Sequence, residues 1–407
     1  MNDGRHSSAG ALTVVLCFLS ALCEGFDVQT AGVAAGGLSH DFHPLPRALG
    51  LLFAASGAGL LVGAVVGGYV ADRIGRKTVL IASMGAFGFF SLLTSVAPGM
   101  ESLTGARLLT GLGLGAAMPN LIALAADAST SRSRNSSIAA AYVGMPLGAA
   151  AASLVVFMVP LDAWRLVFQL GGVAPLIALP LLVFYLPPSK PAANRANRPR
   201  VLFAEGRAPK TLLLWASFFL IVLTLHLMVN WLPFLLVGRG LSKGQATLAQ
   251  AGFNVGGAAA AFWVGTLLDS TWRRMAIIGS LSILPLILYW MAMSQAGSGL
   301  LIGLAVFLGG AILAQQVIAY AVASACYPAA ARGTGVGAAV AAGRLGSLAG
   351  PLFAASLLAA GRSPSQVLFG VLPIVVVSGV FVGYLGWREL RLEVSPDSEA
   401  LLRLRGY

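Results

Sequence analysis

The sequence predicts an all-α integral membrane protein, with twelve transmembrane helices in two six-helix, pseudo-symmetric halves. Three observations predict it. First, the 407 residues are 57% hydrophobic and only 10% charged, where soluble domains carry about 25% charge. Second, apolar runs of about 20 residues recur along the chain, each long enough to cross a hydrocarbon core of about 30 Å. Third, one loop pattern occurs twice at a constant offset, once in each half.

The first six helices are expected at about 11–36, 48–71, 78–97, 100–126, 135–160 and 165–187. The second six are expected at about 211–238, 245–270, 274–295, 298–327, 332–360 and 365–387. Each is an apolar run bounded by short polar, Gly or Pro segments. Residues 1–187 form the first half and 211–407 the second, with a short tail. Residues 188–210, rich in Pro and Arg, read as a cytoplasmic linker that could carry a short surface helix. The first run is too long for a signal-peptide core, holds two acids and has no clear cleavage site after it.

Charge placement sets the expected orientation. With both termini in the cytoplasm, only Arg47, Arg165, Arg239, Lys243 and Arg362 fall in outer loops. Arg107 and Arg344 fall within helices, and the rest of the 26 Lys and Arg lie on the inner side. The net charge of +12 is therefore spread over short inner gaps. That pattern suits an anionic membrane surface and argues against a nucleic-acid partner. Cys17, Cys23 and Cys326 all lie in apolar runs, without metal-ligand spacing or a pairing pattern. No metal cluster, nucleotide loop or nucleophile–base set is visible, so neither cofactor nor enzyme activity is expected.

The strongest motif runs from Gly68 to Lys77, Gly-Tyr-Val-Ala-Asp-Arg-Ile-Gly-Arg-Lys, between helices 2 and 3. Gly68 is expected to allow close helix contact. Asp72 can pair with an Arg or cap a neighbouring helix, and Arg73, Arg76 and Lys77 sit on the inner leaflet. Gly265 to Arg274 repeats the spacing between helices 8 and 9, with Ser270 in place of the first Arg and the second Gly missing. Arg134 before helix 5 likewise matches Arg332 before helix 11. Parallel repeats of this kind place a binding site near the midplane between halves that rock to alternate access.

This loop resembles the signature G-x-x-x-D-R-x-G-R-K/R of the major facilitator superfamily, and the resemblance covers essentially the whole chain. It implies the major facilitator fold, with a conformational latch formed by Gly68, Asp72, Arg73, Gly75, Arg76, Asp127 and Arg134. A narrower resemblance is to the aromatic acid:proton symporters. It rests on Glu24-Gly25-Phe26-Asp27, on Arg107 through Asn120, and on Arg332 through Gly346. The strings Ala31 through Gly37, Pro119 through Leu124 and Asn230-Trp231-Leu232-Pro233 support it. Glu24 stands where many members carry Asp, Asp127 where Glu is usual, and Asn135 where Gly is common. The resemblance implies import of an aromatic carboxylate, such as 3-(3-hydroxyphenyl)propionate or a related hydroxylated acid, with protons. It also implies a multi-pass protein of a bacterial cytoplasmic (inner) membrane, acting as a monomer among lipids.

Glu24, Asp27, Arg107 and Arg344 are ionisable groups set well inside predicted helices. Exposing all four to lipid would cost on the order of 10 kcal/mol, so they must face the interior or a wet cavity. Glu24 and Asp27 are spaced to share a helix face, where two carboxylates hinder each other's ionisation. Such a pair suits proton coupling, with Asp27 the expected carrier and Glu24 its tuner. Arg344 could grip the substrate carboxylate or serve a structural ion pair. Arg107 could guide the anion, partner Asp27, or bridge helices 1 and 4. Asn230, Trp231, Gln316, Tyr320 and Tyr142 are candidate lining residues. Asn230 and Gln316 suit a phenol hydroxyl, although such amides also join helices. His226, one turn from Asn230, could relay a proton or simply pack. Two other readings stay open: a proton-driven exporter of amphiphiles, and a membrane sensor that binds without transporting.

Overall fold

The computed structural model describes residues 3–129, 134–189, 202–204, 206–268, 273–294, 297–327 and 332–389; side chains 3–9, 134–136, 161, 273, 276, 280 and 333 are outside the description. It is all-helical: α1 (Asp3–Phe42), α2 (Pro46–Ile74), α3 (Arg76–Ser95), α4 (Met100–Asp127), α5 (Arg134–Met158), α6 (Trp164–Tyr185), α7 (Ala208–Val237), α8 (Lys243–Leu268), α9 (Arg273–Met293), α10 (Ser298–Ala325), α11 (Arg332–Ala359) and α12 (Pro364–Glu389). Eleven of these are long and apolar enough to cross a membrane, and α9 adds the shorter apolar stretch Ile277–Met293.

The helices pair twice in the same pattern. In the first half α1 packs on α5, α2 on α4 and α3 on α6. In the second half α7 packs on α11, α8 on α10 and α9 on α12. Helices in lipid gain little from hydrophobic exclusion, so close backbone approach must supply the attraction. Glycine makes that approach possible. A Cβ at Gly148 would lie 1.9 Å from the Leu22 carbonyl oxygen, fixing α5 on α1. The matching contact on α7 is Gly350 of α11, whose Cβ would lie 2.2 Å from the Leu223 oxygen. Gly63 against Leu112 and Gly309 against Phe253 join α2 to α4 and α10 to α8.

Contacts between the halves gather toward the end opposite the termini. There Gly50 and Gly57 of α2 abut Ala355 and Ser347 of α11, and Gly244 of α8 meets Phe157 of α5. Gly32 of α1 seats on the Val229–Asn230 backbone of α7. The largest apolar core joins both halves at this level through Phe53, Trp231, Leu235 and their neighbours. Among the described residues, no comparable packing joins α4 or α5 to α10 or α11. Among the described residues, the halves are therefore shut against each other at one end and parted at the end where α1 begins and α12 finishes.

Helix ends lie within a few residues of the sequence reading except at both ends of α1, which begins at Asp3 and not near residue 11. The first helix continues past Gly36 and Gly37 to Phe42. Trp164 Nε1 and Arg165 Nη1 donate to Asp41 Oδ2 at 2.8 and 2.9 Å, pinning the extra turn to α6. Tertiary bonds offset the helix-weakening glycines. At the start of the second half, Thr211 donates to the Leu202 carbonyl at 2.8 Å and Lys210 pairs with Glu389 at 3.1 Å.

Gly68 corrects a sequence expectation. A Cβ there would meet nothing within 4 Å, whereas one at the adjacent Gly67 would lie 2.4 Å from the Ala116 side chain. Gly67 makes the close contact with α4. Gly67→Ala is expected to destabilise the protein by about 1–3 kcal/mol through overpacking. Gly68→Ala should be neutral or stabilising by up to about 1 kcal/mol through helix propensity. Thermal unfolding in detergent distinguishes the two.

Candidate functional site

Asp27 and Arg107 form a buried ion pair across α1 and α4. Arg107 Nη1 donates to Asp27 Oδ1 at 2.6 Å, and Nη2 donates to the Asp27 backbone carbonyl at 3.2 Å. Arg107 Nε donates to Ser56 Oγ of α2 at 3.1 Å. The Phe168 ring lies 5.7 Å from the guanidinium carbon. Arg107 and Asp27 are 1% and 0% exposed, so each charge depends on the other. The second carboxylate oxygen of Asp27 lies against Gly171 of α6 and has no hydrogen-bond partner among the described residues. Asp27 therefore looks into the first half.

Glu24 looks elsewhere. It is fully buried, and neither carboxylate oxygen has a hydrogen-bond partner among the described residues. The charge it feels is that of Arg344 on α11, across the interface. The same guanidinium acts on Tyr142 of α5, His226 of α7 and Tyr320 of α10. Among the described residues Arg344 makes no salt bridge, and it is half-buried. Tyr142 is half-buried and Tyr320 is 36% exposed. The expected shared face of Glu24 and Asp27 is thus corrected. Three residues of helix turn them far enough apart that Asp27 bonds Arg107 while Glu24 feels Arg344 without bonding it.

The remaining predicted lining residues divide by position. Asn230 Nδ2 donates to the His226 carbonyl at 2.7 Å, and both residues border a cavity of about 10 Å³. Ser56 and Arg107 form its other polar wall, and Val28, Phe53, Leu60 and Leu114 are among its apolar ones. It has room for about one water, so an aromatic ring enters only when the halves part. Gln316 is 8% exposed, on α10 one turn from Tyr320. Trp231 is placed apart from these. It is fully buried toward the shut end, donates its indole N–H to the Pro351 carbonyl at 3.1 Å and stacks edge-on against Phe53.

Part of the signature loop is also assembled. Arg76 bonds the Asp127 carboxylate at the end of α4. Gly75 has a φ of +92°, and a Cβ there would lie 2.5 Å from the Ser189 carbonyl oxygen, so the turn requires glycine. Lys77 donates its backbone N–H to Ser189 Oγ at 2.8 Å and its ammonium to the Val183 and Leu186 carbonyls at 2.8 and 2.5 Å. Asp72 is exposed and makes no salt bridge to another described residue, while Arg73 stacks on Tyr69. The Arg134 side chain and residues 269–272 of the second loop copy lie outside the described residues.

Comparison with known proteins agrees with this geometry. Residues 17–351 match the profile of the Major Facilitator Superfamily. The chain belongs to that superfamily. It is 41% identical to the 3-(3-hydroxy-phenyl)propionate transporter of Escherichia coli K12, over 96% of this chain and 98% of that one. It is 33% identical to the gallate transporter of Pseudomonas putida, over 86% of each chain. It is 31% identical to the 4-hydroxybenzoate transporter PcaK of Pseudomonas aeruginosa, over 90% of each. Among solved structures it resembles an inward-facing bacterial homologue of the human lysosomal transporter Spinster. The TM-score is 0.78 and the identity 16%, over 95% of this chain and 99% of that one. It also resembles a D-xylose–proton symporter, with TM-score 0.76 and 18% identity over 93% and 97%. This facilitator is a transporter by family, not an enzyme.

Sequence reasoning missed Ser56, the second partner of Arg107, and Gln29, Gln250 and Asn254, buried amides between the halves. A polar residue inside an apolar run was the available signal. Removing one member of the buried pair leaves an uncompensated charge, so Arg107→Ala is expected to lose about 3–5 kcal/mol of stability. Adding Asp27→Asn should recover a measurable part of that loss. Chemical denaturation of the two variants in detergent provides the comparison.

Proposed function

We propose that this facilitator imports an aromatic carboxylate, 3-(3-hydroxyphenyl)propionate or a related hydroxylated aromatic acid, by proton symport. The observation that carries the reading is a buried carboxylate, Glu24, and an arginine across the interface, Arg344, neither of which has a bonded partner among the described residues while the charge of one reaches the other. The end-to-end similarity to transporters named for hydroxylated aromatic acids supports it. Arg344 grips the substrate carboxylate bidentately. Tyr142, Tyr320, Gln316 and Asn230 line the path of the ring and its hydroxyl.

Proton coupling follows from charge. An aromatic acid is an anion at neutral pH, and moving it against an inside-negative potential costs about 2.3 kcal/mol per 100 mV. One proton carried with it removes that cost. Glu24 carries the proton: a buried charge without a hydrogen-bond donor is strongly disfavoured, and Glu24 lies beside the group that binds the anion. Asp27, held by Arg107, keeps α1 and α4 in register.

The two halves, 1–187 and 211–407, joined by 188–210, rock about this site. Both termini face the cytoplasm of a bacterial cell with the protein in its inner membrane, so the parted end opens inward. The loop around Asp72 and Arg134, built on the Arg76–Asp127 contact already made within the first half, belongs to the latch of the opposite state. The protein works as a monomer.

Uptake of labelled hydroxyphenylpropionates, hydroxybenzoates and phenylacetates into vesicles, with and without a proton gradient, tests the reading. Accumulation of a hydroxylated aromatic acid that collapses with the gradient is expected. Glu24→Gln should abolish accumulation yet retain counterflow exchange, and Arg344→Lys should raise KM about tenfold or more. Equal binding of an uncharged amide analogue would overturn the role of Arg344.

A further inference from the structure

The shut end contains a polar device that the transport reading does not use. Gln29 of α1 is fully buried and belongs to the first half, while all its partners belong to the second. Its Nε2 donates to the Val229 carbonyl of α7 at 2.9 Å. Its Oε1 accepts from Gln250 Nε2 at 3.2 Å and from Asn254 Nδ2 at 3.1 Å, both on α8.

The carbonyl that Gln29 meets is available for a specific reason. In an α-helix the carbonyl of residue 229 takes the N–H of residue 233. Residue 233 is proline, inside α7, and has no N–H to give. Pro233 thus creates an unpaired acceptor in a buried wall, and the side chain of the opposite half satisfies it. Gly32, one turn along α1, lets the two backbones come close enough: its Cβ would lie 2.4 Å from the same Val229 oxygen.

We infer that Gln29, Gln250, Asn254 and the carbonyl freed by Pro233 form a reversible amide bolt that holds the outer end of the transporter shut. Every bond in the bolt crosses between the halves, so opening that end breaks all three together. The exchange is close to balanced, because water entering the opened vestibule replaces each amide bond. The bolt is uncharged, so it weights the two states without responding to pH or to the substrate's charge. It holds whichever acid is carried, and its failure is distinguishable from failure of the substrate reading.

Spin labels at Arg47→Cys and Arg362→Cys test it in the otherwise complete protein. Both positions are exposed beside the shut end, one in each half, and the native cysteines are buried. Pulsed electron–electron distance measurement reads the separation in detergent and in lipid. Gln29→Leu is expected to increase the longer-distance fraction about fivefold or more over the parent. Pro233→Ala restores the helix's own donor to Val229 and should shift the distances in the same direction. It also keeps a readout should Gln29→Leu fail to fold. Parental distance distributions in a folded variant of either kind would overturn the bolt, even if transport changes.

Discussion

A charge in the interior of a membrane protein survives only if it is paired, neutralised or wet. The rest of this structure depends on how that constraint is met at two carboxylates of one helix. Asp27 is paired: Arg107 binds its side chain and its backbone, and Ser56 holds the guanidinium in place. Glu24 has no such partner among the described residues and feels the charge of Arg344 across the divide. The first arrangement is suited to holding helices together. The second is suited to exchanging a proton and an anion, because neither member is committed.

The scaffold that makes this possible is built from absences. Missing Cβ atoms let α1, α2, α7 and α8 touch α5, α4, α11 and α10 backbone to backbone. A missing N–H at Pro233 opens a carbonyl that the other half fills. The backbone-to-backbone contacts lie within one half or the other, so each half moves as a unit, which alternating access requires. The same pairing pattern in both halves means that one set of packing rules, applied twice, yields a pseudo-symmetric shell around an asymmetric site.

Much of this was legible in the chain. Helix number and ends followed from apolar run length, because backbone groups in lipid must be satisfied within the segment. The signature loop put Arg76 and Asp127 in one latch without saying that they bond each other, and Glu24, Asp27, Arg107 and Arg344 announced themselves by their cost. The divergence of Glu24 from Asp27 was not legible, since spacing along a helix says which residues are neighbours and not which external partner each will meet. Gly67, not Gly68, makes the close contact, because the interface is set by the rotation of α2 against α4. Gln29 was overlooked because an isolated amide in an apolar helix gains meaning only when Pro233, two hundred residues on, is placed beside it.

Proton linkage of substrate binding measures directly whether the anion and the proton meet at Arg344 and Glu24. Calorimetric titration of the purified protein with 3-(3-hydroxyphenyl)propionate, in buffers of different ionisation enthalpy, reads the protons exchanged per anion bound. Uptake of about one proton per anion is expected in the parent, as charge balance demands, and none in Glu24→Gln. Binding without proton uptake in the parent, or uptake that persists unchanged in Glu24→Gln, would contradict it.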